Sequence, residues 1–238
     1  MFEKIFREIQ AELNTKADEE YRIFVRDHFK MDVSNFLGVR IPLVRKIANK
    51  YFKELKGLRI EDILKFCNQL LETKIYEHKV IAFHWSFKCS NQYQNEHFKV
   101  FESWLKTYVD DWSDCDDLCT HTLRYFVYQY PESLSKVKLW ASSKNRWVKR
   151  ASAVTLIYSV KRGRHLDSVF EVASELLLDK DDLVQKGYGW ILKETSNSFP
   201  QEVLEFVMNN KNEMPRTALR YAIEKLPPKQ KRAAMQKP

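Results

Sequence analysis

The chain has 238 residues, of which 44% are hydrophobic and 30% charged, the balance of a folded protein rather than a disordered one. Its 5 glycines and 7 prolines compare with roughly 17 and 12 at average usage. That is too few for the frequent turns of an all-β fold or the glycine-cradled phosphates of Rossmann and P-loop folds, which leaves all-α. Forty Lys and Arg against 32 Asp and Glu give a net charge of +8, which favours an acidic partner such as nucleic acid, phosphate or an anionic surface.

No apolar run reaches the roughly 18 residues of a membrane span. The opening Met1-Phe-Glu-Lys-Ile-Phe-Arg-Glu carries acids and lacks the apolar stretch of a signal peptide. Four cysteines (Cys67, Cys89, Cys115, Cys119) do not make a disulfide framework at this length. A reducing, cytoplasmic location is expected, with no membrane association.

Helical periodicity starts at once, with Phe2, Ile5, Phe6, Ile9 and Leu13 on one face. Similar stripes run over 43–52, 63–71, 98–109, 118–128, 148–158, 169–178, 184–192 and 203–208. Short breaks separate them: Asn14-Thr15-Lys16, Lys56-Gly57, Tyr130-Pro131, Arg162-Gly163, Ser198-Phe199-Pro200 and Leu226-Pro227-Pro228. Acids at 179–182 supply an N-cap ahead of Leu183. The pattern predicts about a dozen helices in tight antiparallel pairs. Pairs opening at Pro131, Asp167 and Pro200 recur 33 to 36 residues apart, a little short of the roughly 40–47 residues of HEAT-type repeats. Such pairs bury their apolar faces only by stacking, so a single α-α superhelix of HEAT-like repeats over 1–238 is expected. Periodicity alone leaves an irregular helical bundle equally open. The tail from Pro227 reads as a frayed end rather than a basic arm.

The most unusual segment is Val109-Asp-Asp-Trp-Ser-Asp-Cys-Asp-Asp-Leu-Cys119, with Asp110, Asp111, Asp114, Asp116 and Asp117 close together in a basic chain. Carboxylates repel phosphate, so a nucleic-acid surface needs a reason to hold them. Some can cap a helix starting near Ser113. Trp112 and Asp116, four apart, share a helix face, and a carboxylate beside an indole could stabilise positive charge developing on a sugar. Cys115, Cys119 and His121 lack the second half of a zinc site, and no cofactor motif occurs, so neither metal nor cofactor is expected. Basic residues gather late: Lys144, Arg146, Lys149 and Arg150 at one helix start, Lys161, Arg162, Arg164 and His165 beyond its end, then Arg216 and Arg220. Helix starts carrying guanidinium groups make phosphate clamps, while a solvated basic face is the plainer reading of any single cluster. Trp147 and Trp190, each taken singly, read as core. Gly187 and Gly189 interrupt a helix, each at a cost of about 1 kcal/mol, which close packing or ligand approach must justify.

Five segments in order resemble the AlkD-type DNA alkylation repair family of HEAT-like-repeat DNA glycosylases. They are Phe36-Leu-Gly-Val-Arg-Ile-Pro42 with the following Leu-Val-Arg-Lys-Ile-Ala, Trp112-x-x-x-Asp116, Asn145-Arg-Trp-Val-Lys-Arg150-Ala-Ser-Ala, Gln185-Lys-Gly-Tyr-Gly-Trp190-Ile-Leu-Lys-Glu, and Met214 through Lys225. The resemblance runs from about Phe36 to Leu226. It implies a monomeric enzyme that excises cationic N3- and N7-alkylated purines from duplex DNA, without pulling the base into a pocket. Asp116 would be its catalytic carboxylate, with Trp112 and Trp190 lining the deoxyribose and Arg150 holding the adjacent phosphate. Arg40, Arg146, Lys149, Lys193, Arg216 and Arg220 would contact the DNA. Departures are Ser113, where many relatives carry aspartate, the acids Asp110 and Asp111, and Lys193 in place of arginine. Extra negative charge beside Asp116 would raise its pKa. The alternatives are a non-catalytic binder of duplex or branched DNA on the same basic face, and a protein-interaction scaffold.

Overall fold

The computed structural model describes residues 1–236, which are helical with short connections and contain no strand. They cluster into two compact units, one over Met1–Gln94 and one from Asn95 onward.

The first unit holds α1 (Phe2–Thr15), α2 (Glu19–Phe29), α3 (Ile41–Phe52), α4 (Ile60–Glu72) and α5 (Tyr76–Lys88). The α1 stripe is as expected: Ile5, Ile9 and Leu13 are fully buried. The sequence stripes miss α2 and α5 for opposite reasons. Val25 alone is buried on α2, whereas α5 is buried continuously from Glu77 through Phe83 and has no polar face to alternate with. The Phe36–Pro42 motif is a loop as far as Arg40 and then the start of α3, clamped by the Glu77 carboxylate, which accepts from the backbone N–H of Leu37 (3.0 Å) and Val39 (2.9 Å). Gly38 has φ +89°, and a side chain there would collide with the Asp18 carbonyl, so this motif glycine is required by the backbone.

The second unit holds α6 (Phe98–Thr107), α7 (Trp112–Leu118), a π turn (Cys119–Leu123) running directly into α8 (Arg124–Gln129), and α9 (Leu134–Leu139). After these come α10 (Arg146–Val154), α11 (Ile157–Val160), α12 (Leu166–Glu175), α13 (Asp182–Thr195), α14 (Pro200–Asn210), α15 (Arg216–Ala222) and α16 (Pro228–Met235).

Cross-helix contacts recur at nearly constant sequence separation. Asp116 bonds Arg150, 34 residues on, and Arg124 lies over the ring of Tyr158, again 34 residues on. Constant separation means parallel neighbours, since antiparallel pairs would drift. The same holds for Arg150 with Leu183 at 33, Glu194 with Lys225 at 31, and in the other row for Lys138 with Glu171 and Ser142 with Glu175 at 33. The second unit is thus built of repeated helical pairs. One row is α7–α8, α10–α11, α13 and α15; the other row includes α9 and α12. In the first unit, Lys50 meets Glu12 and Trp85 meets Ala48 at separations of 38 and 37.

The tail corrects the expectation of a frayed end. Two prolines start α16 and Ala234 is buried, while the Lys211 ammonium donates to the carbonyls of Ala233 (3.1 Å) and Gln236 (3.2 Å). The last two positions of that tail lie outside the described residues.

Both interruptions of α13 have packing causes. A Cβ on Gly189 would stand 2.6 Å from the Tyr221 Cβ and 2.9 Å from the Ala218 carbonyl oxygen, so the glycine lets α13 and α15 touch backbone to backbone. Gly189→Ala should gain helix propensity of about 1 kcal/mol and lose more to overpacking, for a net destabilisation of about 1–3 kcal/mol. Thermal melts should show a drop of about 2–4 °C per kcal/mol for a chain of this size. A melt within a degree of the parent would contradict the close approach.

Candidate active site

The site grows from three parallel helices of the second unit. Helix α7 starts at Trp112 because Asp111 caps it: its carboxylate accepts from the N–H and the hydroxyl of Ser113, both at 2.7 Å. Asp111, one of the supernumerary acids, therefore has a local task, and Ser113 is its partner. Asp114 in the first turn is buried. One turn after Trp112 comes Asp116, with its side chain 19% exposed.

Helix α10 starts at Asn145, whose side-chain oxygen accepts from Trp147 N–H at 2.8 Å. The cap sets the phase that brings Arg150 against Asp116. Arg150 Nε donates to Asp116 Oδ1 and Nη2 to Oδ2, both at 2.8 Å, a two-pronged fork on a side chain only 7% exposed. The third nitrogen, Nη1, donates to the Leu183 carbonyl at 2.6 Å. Helix α13, capped by Asp181 through Leu183 and Val184 N–H, supplies that carbonyl. It also supplies Gly187, where a Cβ would stand 3.2 Å from the Arg150 Cγ. The glycine leaves room for the arginine stem, which accounts for the second interruption.

Three indoles lie one helical turn from this contact: Trp112 four residues before Asp116, Trp147 three before Arg150, and Trp190 three after Gly187. All three are half-buried, so Trp147 and Trp190 are not core as each reads singly. Trp147 was not among the candidate site residues, and its spacing of three from Arg150 is the sequence signal that places it beside them. Its carbonyl accepts from the Cys115 thiol at 3.5 Å, and Arg146 lies 5.0 Å over its ring.

Burial pushes the Asp116 carboxyl above its ordinary value. Hydrogen bonds and charge from Arg150 pull against that, while Asp111 and Asp117 push further upward. Arg150 is held above its ordinary value: burial lowers it, and Asp116 more than restores it. Burial raises the Cys115 thiol well above its usual range, and Cys115 and Cys119 lie 4.0 Å apart. His121 instead pairs with Asp117 at 3.0 Å, and no metal-binding group of three His, Cys, Asp or Glu occurs among the described residues.

The other expected DNA contacts divide into two kinds. Arg146 is forked onto Asp181 (2.8 and 2.9 Å), Lys149 pairs with Asp179 at 2.5 Å, and Lys193 pairs with Glu224 at 2.6 Å. The Arg146–Asp181 pair, partly exposed on both sides, is worth about 0–1 kcal/mol. Arg216 and Arg220 on α15 are exposed and have no side-chain partner among the described residues. Arg40 belongs to the first unit, where it lies 4.3 Å over the Tyr21 ring and 3.6 Å from Asp18.

Removing the fork should show its weight. Arg150→Met leaves Asp116 buried and uncompensated, with an expected loss of about 2–4 kcal/mol near neutral pH, much of it desolvation. In that variant the folded-state pKa of Asp116 rises further above the unfolded value. Its stability should therefore recover as pH falls towards that of an unfolded aspartate, where the carboxyl is protonated in both states. Chemical denaturation of the variant and the parent across pH 4–8 measures this; a deficit independent of pH would contradict it.

A family model described as DNA alkylation repair enzyme matches residues 9–226, spanning nearly all of both units. Among solved structures, one described as a predicted DNA alkylation repair enzyme from Enterococcus faecalis superposes with a TM-score of 0.76. The match covers 90% of this chain and 98% of the other at 17% identity, and so shares the fold. A search of curated proteins gives no match. By the extent of the family match, the chain belongs to the DNA alkylation repair enzyme family.

Proposed function

We propose that the protein is a DNA glycosylase that hydrolyses the N-glycosidic bond of cationic N3- and N7-alkylated purines in duplex DNA, and that the two units work together as one repair domain. The observation that carries this is the Asp116 carboxylate, ordered by a buried arginine fork and flanked within one turn by half-buried indoles. An alkylated purine is already positive, so it leaves with the bond's electron pair and becomes neutral without help from a strong acid. What needs stabilising is the positive charge appearing on the sugar, and a fixed carboxylate does that. Water, positioned by Asp116, then adds to the anomeric carbon and releases its proton to bulk solvent by way of the Asp116 carboxylate.

Arg150 is placed to hold Asp116 in this role, with phosphate as a second partner once DNA is present. The guanidinium beside the ionised carboxylate also offsets part of its repulsion for the DNA backbone. Trp112 and Trp190 supply apolar walls that exclude water and face the sugar, and Trp147 extends them. Lys149, Arg146, Lys193, Arg216, Arg220 and Arg40 would engage the backbone. No described helix is long and apolar enough to cross a membrane; with a DNA substrate, a cytoplasmic monomer is the form we propose.

Release of 7-methylguanine and 3-methyladenine from methylated duplex is the test. Wild type should release both, and Asp116→Asn should lose on the order of 100-fold or more in single-turnover rate, as removal of a charge-stabilising group does. Asp116 acts ionised, and its pKa is raised. The rate should therefore fall as pH drops through a value above the roughly 3.9 of an unperturbed aspartate. Arg150→Met, losing the opposing charge, should shift that limb to higher pH. Wild-type release by Asp116→Asn would exclude the assignment, and binding without release by wild type would favour a non-catalytic DNA binder.

A further inference from the structure

Two turns from the Asp116–Arg150 pair, α8 and the turn that follows α11 carry a second group of basic side chains that the chemistry above leaves unused. The Tyr128 and Tyr158 rings meet edge to face, with centroids 5.3 Å apart at 87°. Arg162 lies 3.5 Å over Tyr158, Arg124 lies 4.5 Å from the centroid of the same ring, and Arg164 lies 4.3 Å over Tyr128. Gly163, at φ +74°, makes the turn that separates Arg162 from Arg164, and His165 at φ 63° continues it. Three guanidinium groups thus share two rings.

Arg162 and Arg164 differ in their counter-charges from the basic residues nearest them on α10 and α13. Arg146, Lys149 and Lys193 each hold a carboxylate, and Lys161 next door is tied to Glu194 at 3.0 Å. Arg162 and Arg164 are exposed, and among the described residues neither contacts a carboxylate. The positive charges crowd each other: burial lowers the pKa of Arg124, and Arg162 lowers it further. A guanidinium held against a tyrosine ring keeps N–H groups for phosphate oxygens; Arg162 gives one of its own, Nη1, to the Tyr158 carbonyl at 3.2 Å. The rings also hold the arginines in place before any ligand arrives, so less side-chain entropy is lost on binding.

We propose that Arg124, Arg162 and Arg164, ordered on Tyr128 and Tyr158, form a second phosphate-binding site that grips the DNA backbone away from the reacting nucleotide. DNA as the occupant rests on the function proposed above; the anion site itself rests on the cluster. Eight residues separate Asp116 from Arg124 and Arg150 from Tyr158 on parallel neighbours, roughly 12 Å at 1.5 Å per residue. With an axial rise of about 3.4 Å per nucleotide on one strand, the site would meet phosphates roughly three to four nucleotides from the lesion.

The experiment measures binding of the full chain to an undamaged duplex of about 20 base pairs by fluorescence anisotropy, over a series of salt concentrations. Arg162→Ala/Arg164→Ala should weaken binding on the order of 10- to 100-fold at low salt. It should also reduce the slope of log affinity against log salt by about 2, since each lost phosphate contact removes about 0.9. Arg162→Lys/Arg164→Lys should keep most of the slope while losing part of the affinity, because charge remains and the fork does not. Lys53→Ala/Lys56→Ala, removing the same charge from exposed positions of the first unit, is the control. Arginine-to-alanine effects no larger than the control's, in affinity and in slope, would overturn the proposal. Base release by wild type is scored separately. Loss of duplex affinity in the double variant, with no release by wild type, keeps the cluster and rejects the glycosylase. Release with unaltered affinity does the reverse.

Discussion

The ion pair between Asp116 and Arg150 is the contact on which the second unit depends. Each partner is too buried to be left alone, and each satisfies the other through two bonds of 2.8 Å. The surrounding helices are adjusted to it: α7 by the Asp111 cap, α10 by the Asn145 cap, α13 by the Leu183 carbonyl and by the missing side chain of Gly187. Such a pair adds little net stability compared with an apolar core of equal volume. Its value is positional. It fixes both oxygens of a carboxylate and sets a positive charge directly beside it.

The all-helical fold was legible because it rests on local pattern, and Asp116 stood out by its spacing from Trp112 together with the family resemblance. Stripes at three- and four-residue spacing gave α1, α3, α4 and α13, and the Trp112-to-Asp116 spacing put those two on one face. The α5 helix was not legible, since a helix buried all round has no stripe. Nor was the partner of Arg150. A lone arginine in a basic chain reads as a phosphate ligand, and only tertiary structure shows its three nitrogens facing a carboxylate and a carbonyl. The two glycines announced a close approach without naming it; one accommodates an arginine stem and the other a neighbouring helix. The aspartates at 110–117 looked like surplus charge until Asp111 took a cap and Asp117 a histidine.

Counter-charge is the theme of the basic surface. Arg146 with Asp181 and Lys149 with Asp179 tie neighbouring repeats together by cross-helix pairs that are only partly buried. On the proposed function, such pairs hold the lysine and arginine heads where a backbone phosphate would meet them. A backbone phosphate entering between α10 and α13 would replace a carboxylate as partner rather than meet a bare, fully hydrated cation. The Asp116–Arg150 pair, being drier, exchanges at higher cost.

The π turn at Cys119–Leu123 sets the phase of everything after it. At about 100° per residue, the eight positions from Asp116 to Arg124 would leave the two some 80° apart around an uninterrupted α-helix. A π turn absorbs one residue, which reduces the count to an effective seven and the offset to roughly 20°. Aspartate and arginine can then face the same neighbouring helix two turns apart, one meeting Arg150 and the other Tyr158. The extra residue acts as a gear tooth. Wind the same eight positions into uninterrupted α-helix and the composition would not change, but the acid and the arginine would lie some 80° apart around the helix.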